Sequence, residues 1–171
     1  MKRHKQSTLK GLHAPKDAFG GALLTSHPKT KRPLDSKLPT HLVLRATKST
    51  MRRPQNFLKV NQIVKKACSK HGVRLYEYAN VGNHLHLLIK LRSRTSWAAF
   101  IREVTGRIAQ LTQIKWLNRP FTRIVRGWKN AYYIAKGYVQ LNELEAEGLL
   151  RRDQKSLLTR LNHILIPLNS Y

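Results

Sequence analysis

The sequence predicts an α+β fold, a four-stranded antiparallel sheet with two helices on one face. Three observations carry this: the order of its periodic segments, a hairpin signal in mid-chain, and two amphipathic stretches bounded by proline or glycine. HLVLRA, residues 41–46, is aliphatic and alternating enough to be the first strand. Pro54 opens a helix at a position where a missing amide proton is tolerated. Phe57, Val60, Ile63, Val64 and Ala67 form its apolar stripe, and Gly72 stops it. VRLYEYA, residues 73–79, and the run 84–91 read as the second and third strands, with a turn over Asn80 to Asn83. Thr95 or Ser96 is the expected cap of the next helix. Its stripe is Trp97, Phe100, Ile101, Val104, Ile108 and Leu111, and it ends before Pro120. FTRIVR, residues 121–126, is the fourth strand.

Strand, helix, strand, strand, helix, strand is the order of the ferredoxin-like βαββαβ sandwich, which leaves the sheet's second face for a ligand or another element. A third helix is expected over roughly 128–147, with Gly148 as terminator. Gly137 lies inside it at a cost of about 1 kcal/mol relative to Ala, which makes it a candidate position for a kink or a break. Residues 1–39, rich in Lys, Arg, Pro, Gly and Ser, read as a basic extended arm. Residues 40–150 read as one domain with a core, and 151–171 as a short helical tail carrying Leu157, Leu158, Leu161, Ile164 and Leu165.

Lys and Arg number 33 against 8 Asp and Glu, a net charge of +25 on 171 residues. Such a density repels itself unless the usual partner is an anionic polymer, and nucleic acid is the first choice. No apolar stretch approaches the roughly 20 residues that span a bilayer, and the first residues lack the apolar core of a signal peptide. The expectation is a soluble, cytoplasmic protein without a membrane partner. Cys68, the single cysteine, excludes a disulfide framework and a thiolate zinc cluster. A metal would have to rely on His, Asn, Gln, carboxylate or substrate oxygens, a set that suits Mg²⁺ or Mn²⁺ bridging to phosphate.

The chemistry centres on YEYANVGNHLHLLIK, residues 76–90. His84 and His86 stand two apart on a strand and so share a face, while Leu85, Leu87 and Ile89 take the other. Two imidazoles on one rigid face are half of a metal site, although a strand histidine also serves simply as a hydrogen-bonding residue. His41, on the neighbouring first strand, is a less favoured participant, and His71 and His163 read as surface or helix-end residues. The third helix holds Tyr132, Tyr133 and Tyr138. Tyrosine suits a transesterification whose product is kept, because a phosphotyrosyl bond conserves the energy of the broken phosphodiester. Asn142, one turn after Tyr138, shares its helix face and could bring a carbonyl oxygen to the metal. By spacing alone a packing role for all three tyrosines stays open.

VGNHLHLLI, residues 81–89, resembles the His-hydrophobic-His motif of single-tyrosine transposases of the IS200/IS605 type, and YVQLNELEAEGL, residues 138–149, resembles the tyrosine helix of their REP-associated branch. HLVLRA and the upstream GGALLTSHPKTKRPLDSKLP fit as well, so the resemblance spans roughly residues 19–149. It implies that His84, His86 and Asn142 hold Mg²⁺ or Mn²⁺. Tyr138 would attack single-stranded DNA near a hairpin, giving a 5′-phosphotyrosyl link and a free 3′-hydroxyl. Lys29, Lys31, Arg32, Arg123, Arg126 and Trp128 are the candidate DNA contacts, the tryptophan by stacking on a base. Two departures stand out: Gly82 and Glu143 occupy positions where the family commonly has proline, and Glu143 is expected to tune the metal or repel phosphate. The competing class is a catalytically silent DNA- or RNA-binding protein that keeps the fold. A replication initiator or relaxase fits less well, given the small size and the lack of a helicase or third-histidine motif. Monomer and homodimer, with the tyrosine helix in cis or swapped, both remain open.

Overall fold

A computed structural model describes residues 17–21, 31–127, 130–151, 153–155 and 157–158. Five strands form one antiparallel sheet: β1 (Ala18–Phe19), β2 (Thr40–Arg45), β3 (Arg74–Asn80), β4 (His84–Lys90) and β5 (Phe121–Ile124), in the spatial order β1-β5-β2-β4-β3. Without β1 this is the ferredoxin-like arrangement expected from the element order. The fifth strand is the departure. Ala18 and Phe19, inside the stretch read as an extended arm, pair with Arg123 and Thr122 and close the β5 edge.

Helices α1 (Pro54–Lys70) and α2 (Arg94–Thr112) cover one face. Pro54 takes the first turn of α1, where no amide proton is missed, and Gly72 leaves it at φ +61°. The cap of α2 is Ser93 rather than Thr95 or Ser96: its Oγ accepts from the Ser96 amide at 3.2 Å. Spacing alone does not separate neighbouring hydroxyl residues, whereas the extended backbone of Ser93 (φ −151°) admits only that residue as cap. Val60, Val64 and Ala67 of α1 and Phe100, Val104 and Ile108 of α2 bury against Leu42, Leu44, Leu85, Leu87 and Ile89 of the sheet.

The other face is covered by α3 (Asn130–Ala146), which runs without a break through Gly137 and ends with Gly148 at φ +76°. Ala135 and Val139 pack on Ala79, Leu88 and Val125, with Tyr76 and Tyr132 at the margin. Covered on both sides, β4 is buried from Leu85 to Ile89. Beyond α3, residues 153–155 and 157–158 are helical. Among the described residues no helix is long and apolar enough to cross a membrane.

Candidate metal and tyrosine site

The strand period places His84 and His86 on the α3 side of β4, and the antiparallel register brings β2 beside it with Val43 opposite His86 and His41 opposite Leu88. His41 is thus the diagonal neighbour of His86. Its Nε2 lies 3.2 Å from His86 Nδ1. The ring centroids are 5.5 Å apart with planes 9° from parallel. A bond of that length permits no appreciably larger separation, so the rings lie edge to edge in one plane with the bond along the ring axes. His84 Nδ1 is 2.6 Å from Asn83 Oδ1. That oxygen only accepts, so His84 carries its proton on Nδ1 and bares Nε2.

His86 is 5% exposed, and its Nε2 is a buried nitrogen with no hydrogen-bond partner. Buried polar atoms are nearly always paired, so an orphan at a cluster of imidazoles marks a place for a ligand. All three imidazoles are held neutral. Burial, then the charge of Arg123, pushes His41 down to about 4. Burial, then Arg45 and Lys155, pushes His84 to about 4. Burial drives His86 well below its ordinary value, reinforced by His41 and His84. Neutral imidazole is the form that ligates a cation.

Tyr138 stands over this group from α3. Its ring centroid is 5.6 Å from that of His86 and 5.7 Å from that of His41, with planes near perpendicular to both. Burial raises the phenol above its ordinary value of 10, so the hydroxyl is protonated at neutral pH. Asn142, buried at 3% exposure, turns its amide group back to the Tyr138 carbonyl at 2.6 Å. Its Oδ1 accepts at 2.8 Å from Lys155 Nζ, which also bonds Glu145. A donor set of imidazole nitrogens from His84 and His86 with one carboxamide oxygen suits Mn²⁺, with its greater tolerance for nitrogen, or Mg²⁺. Lys155 must leave Asn142 Oδ1 for that oxygen to join.

Glu143 makes a structural contact across the chain. One carboxylate oxygen accepts from Arg52 at 2.8 Å and the other from the Asn80 amide at 2.7 Å, while Arg52 also donates to the Asn80 carbonyl at 2.6 Å. Both oxygens are committed to docking α3 on the hairpin that presents the histidines. Gly82 has a local reason too: at φ +91° and with its amide donated to Asn80 Oδ1 at 3.0 Å, it occupies a position proline cannot take.

Among the described residues, Arg32, Arg123 and Arg126 lie along the β1–β5 edge: Arg32 bonds Thr122, Arg123 stands opposite Ala18 and Arg126 bonds Asp17. Lys29 and Trp128 lie outside the described residues, and Lys31 is exposed. Arg32 is built into the fold: its guanidinium lies over the Phe19 and Trp97 rings at 4.5 and 5.1 Å and donates to the Pro120 carbonyl and Thr122 Oγ1, each at 2.7 Å. Arg126 pairs with both oxygens of Asp17 at 2.9 Å. Arg123 is half-buried on β5. Trp116 is structural, its indole donating to the Thr105 carbonyl at 3.0 Å. His71 is the helix-end residue expected, at the C-cap of α1 and 2.8 Å from Glu103. His41, Lys155 and Glu143 are the residues that sequence reasoning underrated. For His41 the signal was its parity on a strand adjoining the histidine strand. For the other two, no local pattern points to the contact.

The family model described as "Transposase IS200 like" matches residues 35–143, from just before β2 to the turn of α3 beyond Tyr138. The chain belongs to the IS200-like transposases. Members of a transposase family process DNA, which supplies the anionic polymer that the charge of +25 calls for. Among solved structures, one described as "Structure of the REP associates tyrosine transposase bound to a REP hairpin" superposes with a TM-score of 0.56 at 14% identity, covering 69% of this chain and 73% of that one. At that identity the likeness speaks for the fold. No curated protein matches the chain. In this IS200-like transposase the matched span contains His41, His84, His86, Tyr138 and Asn142, and excludes Lys155.

Proposed function

We propose that this protein is a metal-dependent, single-strand-specific DNA endonuclease and strand transferase of the REP-associated branch, with Tyr138 as nucleophile and His84, His86 and Asn142 as cation ligands. The observation that carries the reading is the Tyr138 ring set against His86, whose buried Nε2 has no partner. A bound Mg²⁺ or Mn²⁺ would supply Lewis acidity to a phosphoryl oxygen of the DNA. Tyr138 Oη attacks the phosphorus, the bond to the 3′ oxygen breaks, and a 5′-phosphotyrosyl ester forms. The tyrosine's proton is lost, and the departing 3′ oxygen gains one to become a free hydroxyl. Burial raises the Tyr138 phenol, so it enters the reaction protonated, and a bound cation would favour loss of that proton.

The docking of α3 by Glu143 and Arg52 sets the distance between nucleophile and histidines. Hairpin DNA of the REP kind is the substrate class, as in the structure of similar fold, with single-stranded flanks contacted by Lys31, Arg123 and the basic surface. Such a protein acts in the cytoplasm, on the nucleoid. The deciding experiment is denaturing electrophoresis with labelled single-stranded DNA carrying hairpins from the protein's own genomic neighbourhood. We expect a covalent protein-DNA band with Mg²⁺ or Mn²⁺ that EDTA abolishes and Tyr138→Phe removes.

One observation favours a second reading, a DNA- or RNA-binding protein without turnover: the Lys155 ammonium occupies Asn142 Oδ1. In that case binding ignores EDTA, no covalent band forms, and log affinity falls linearly with log salt.

A further inference from the structure

Each histidine of the pair has its Nδ1 already engaged. For His84 the partner is the Asn83 carboxamide oxygen, which fixes the proton on Nδ1 without ambiguity. For His86 the partner is another imidazole, and two arrangements are chemically open. If His41 donated from Nε2, neutral His86 would carry its proton on its own Nε2, a buried donor with no acceptor. If His86 donates from Nδ1, its Nε2 lone pair is bare, as is that of His84, whose ring centroid is 4.8 Å away. Only the second arrangement gives both histidines the same tautomer. The coplanar, end-to-end geometry of the two rings is that of a well-aligned in-plane hydrogen bond, which also holds His86 against rotation about its side chain.

We propose that His41 is a positioning residue of the site: it accepts the Nδ1 proton of His86, locks that ring's orientation and tautomer, and turns Nε2 toward the cation. This rests on the metal reading given above and adds to it a residue outside the His-hydrophobic-His motif, supplied by the neighbouring strand. Outer partners of metal-bound histidines act in this way, and removing one typically lowers metal affinity roughly 10- to 100-fold.

The first test needs neither metal nor variant. Long-range ¹H–¹⁵N spectra of the histidine side chains in the metal-free protein should show His86 protonated on Nδ1 and bare at Nε2; a proton on Nε2 overturns the proposal. The second is Mn²⁺ titration by calorimetry. His41→Leu, which keeps bulk and removes the acceptor, should weaken binding by roughly 10- to 100-fold. His41→Gln, whose carboxamide oxygen can accept the same proton, should stay within a few-fold of the wild type. A loss shared equally by His41→Gln points to packing and overturns the proposal, as does unchanged affinity in His41→Leu. Binding that His86→Ala abolishes but His41→Leu leaves intact defeats the role of His41 alone. No Mn²⁺ binding by the wild type, or binding indifferent to His84→Ala and His86→Ala, defeats the metal reading and the role of His41 with it.

Discussion

The two faces of the sheet differ by single residue steps along β4 and do opposite work. Leu85, Leu87 and Ile89 point to α1 and α2 into an apolar cluster with Phe100, Val104 and Ile108. His84 and His86 point to α3, where a small apolar patch is followed by three imidazoles, a tyrosine and a carboxamide. The first face maximises buried apolar area and specifies the fold. The second leaves a buried nitrogen unpartnered and holds three imidazoles neutral, an arrangement that costs folding free energy. Stability should therefore reside on the helix-pair face and activity on the α3 face, and substitutions on each should separate the two.

Tyr138→Phe should produce the largest effect: complete loss of the covalent DNA adduct on denaturing gels, with hairpin affinity and melting temperature nearly unchanged. Phe100→Ala, on the opposite face, should cost about 3–5 kcal/mol in urea unfolding while Mn²⁺ affinity of the remaining folded protein is preserved. If Tyr138→Phe destabilised as much as Phe100→Ala, the tyrosine would be a packing residue. Between the two faces lies the clamp of α3. Glu143→Gln removes the charge from both the Arg52 and the Asn80 bonds and should cost about 1–3 kcal/mol by chemical denaturation. It should also slow adduct formation, because the nucleophile is no longer held over the histidines.

Smaller effects sharpen the comparison. Lys155→Met frees Asn142 Oδ1 and removes a cation whose charge reaches His84 and His86. Mn²⁺ affinity should rise roughly fivefold, the equivalent of about 1 kcal/mol. Smallest is a pH effect on the outer helix layer. Hydrogen bonds from Lys70 first, then His71, lower Glu103 from 4.5 to about 2. A depressed carboxylate contributes stability that is present above the unfolded value and lost as pH falls through the folded one. Wild type and Glu103→Gln should therefore differ slightly in stability at neutral pH, and the difference should fade between about 4.5 and 2, as melting curves across that range would show.

The His-hydrophobic-His strand, the element order and the tyrosine four residues before an asparagine were legible in the sequence because each rests on local period. Alternation decides which side chains share a strand face, and helical spacing does the same for Tyr138 and Asn142. Stripes of apolar residues located both covering helices within a few positions. What the sequence alone could not decide was contact between residues far apart in the chain. The 3.2 Å bond between His41 and His86 spans 45 positions. The docking of Glu143 on Arg52 spans 91, and the capture of Arg32 by Thr122 spans 90. The same guanidinium reads as a phosphate contact or as a staple, and the same carboxylate as a site residue or as a clamp, until strand pairing sets the register. Local chemistry thus determined which residues were able to act; the sheet's register and the packing of α3 decided which of them meet.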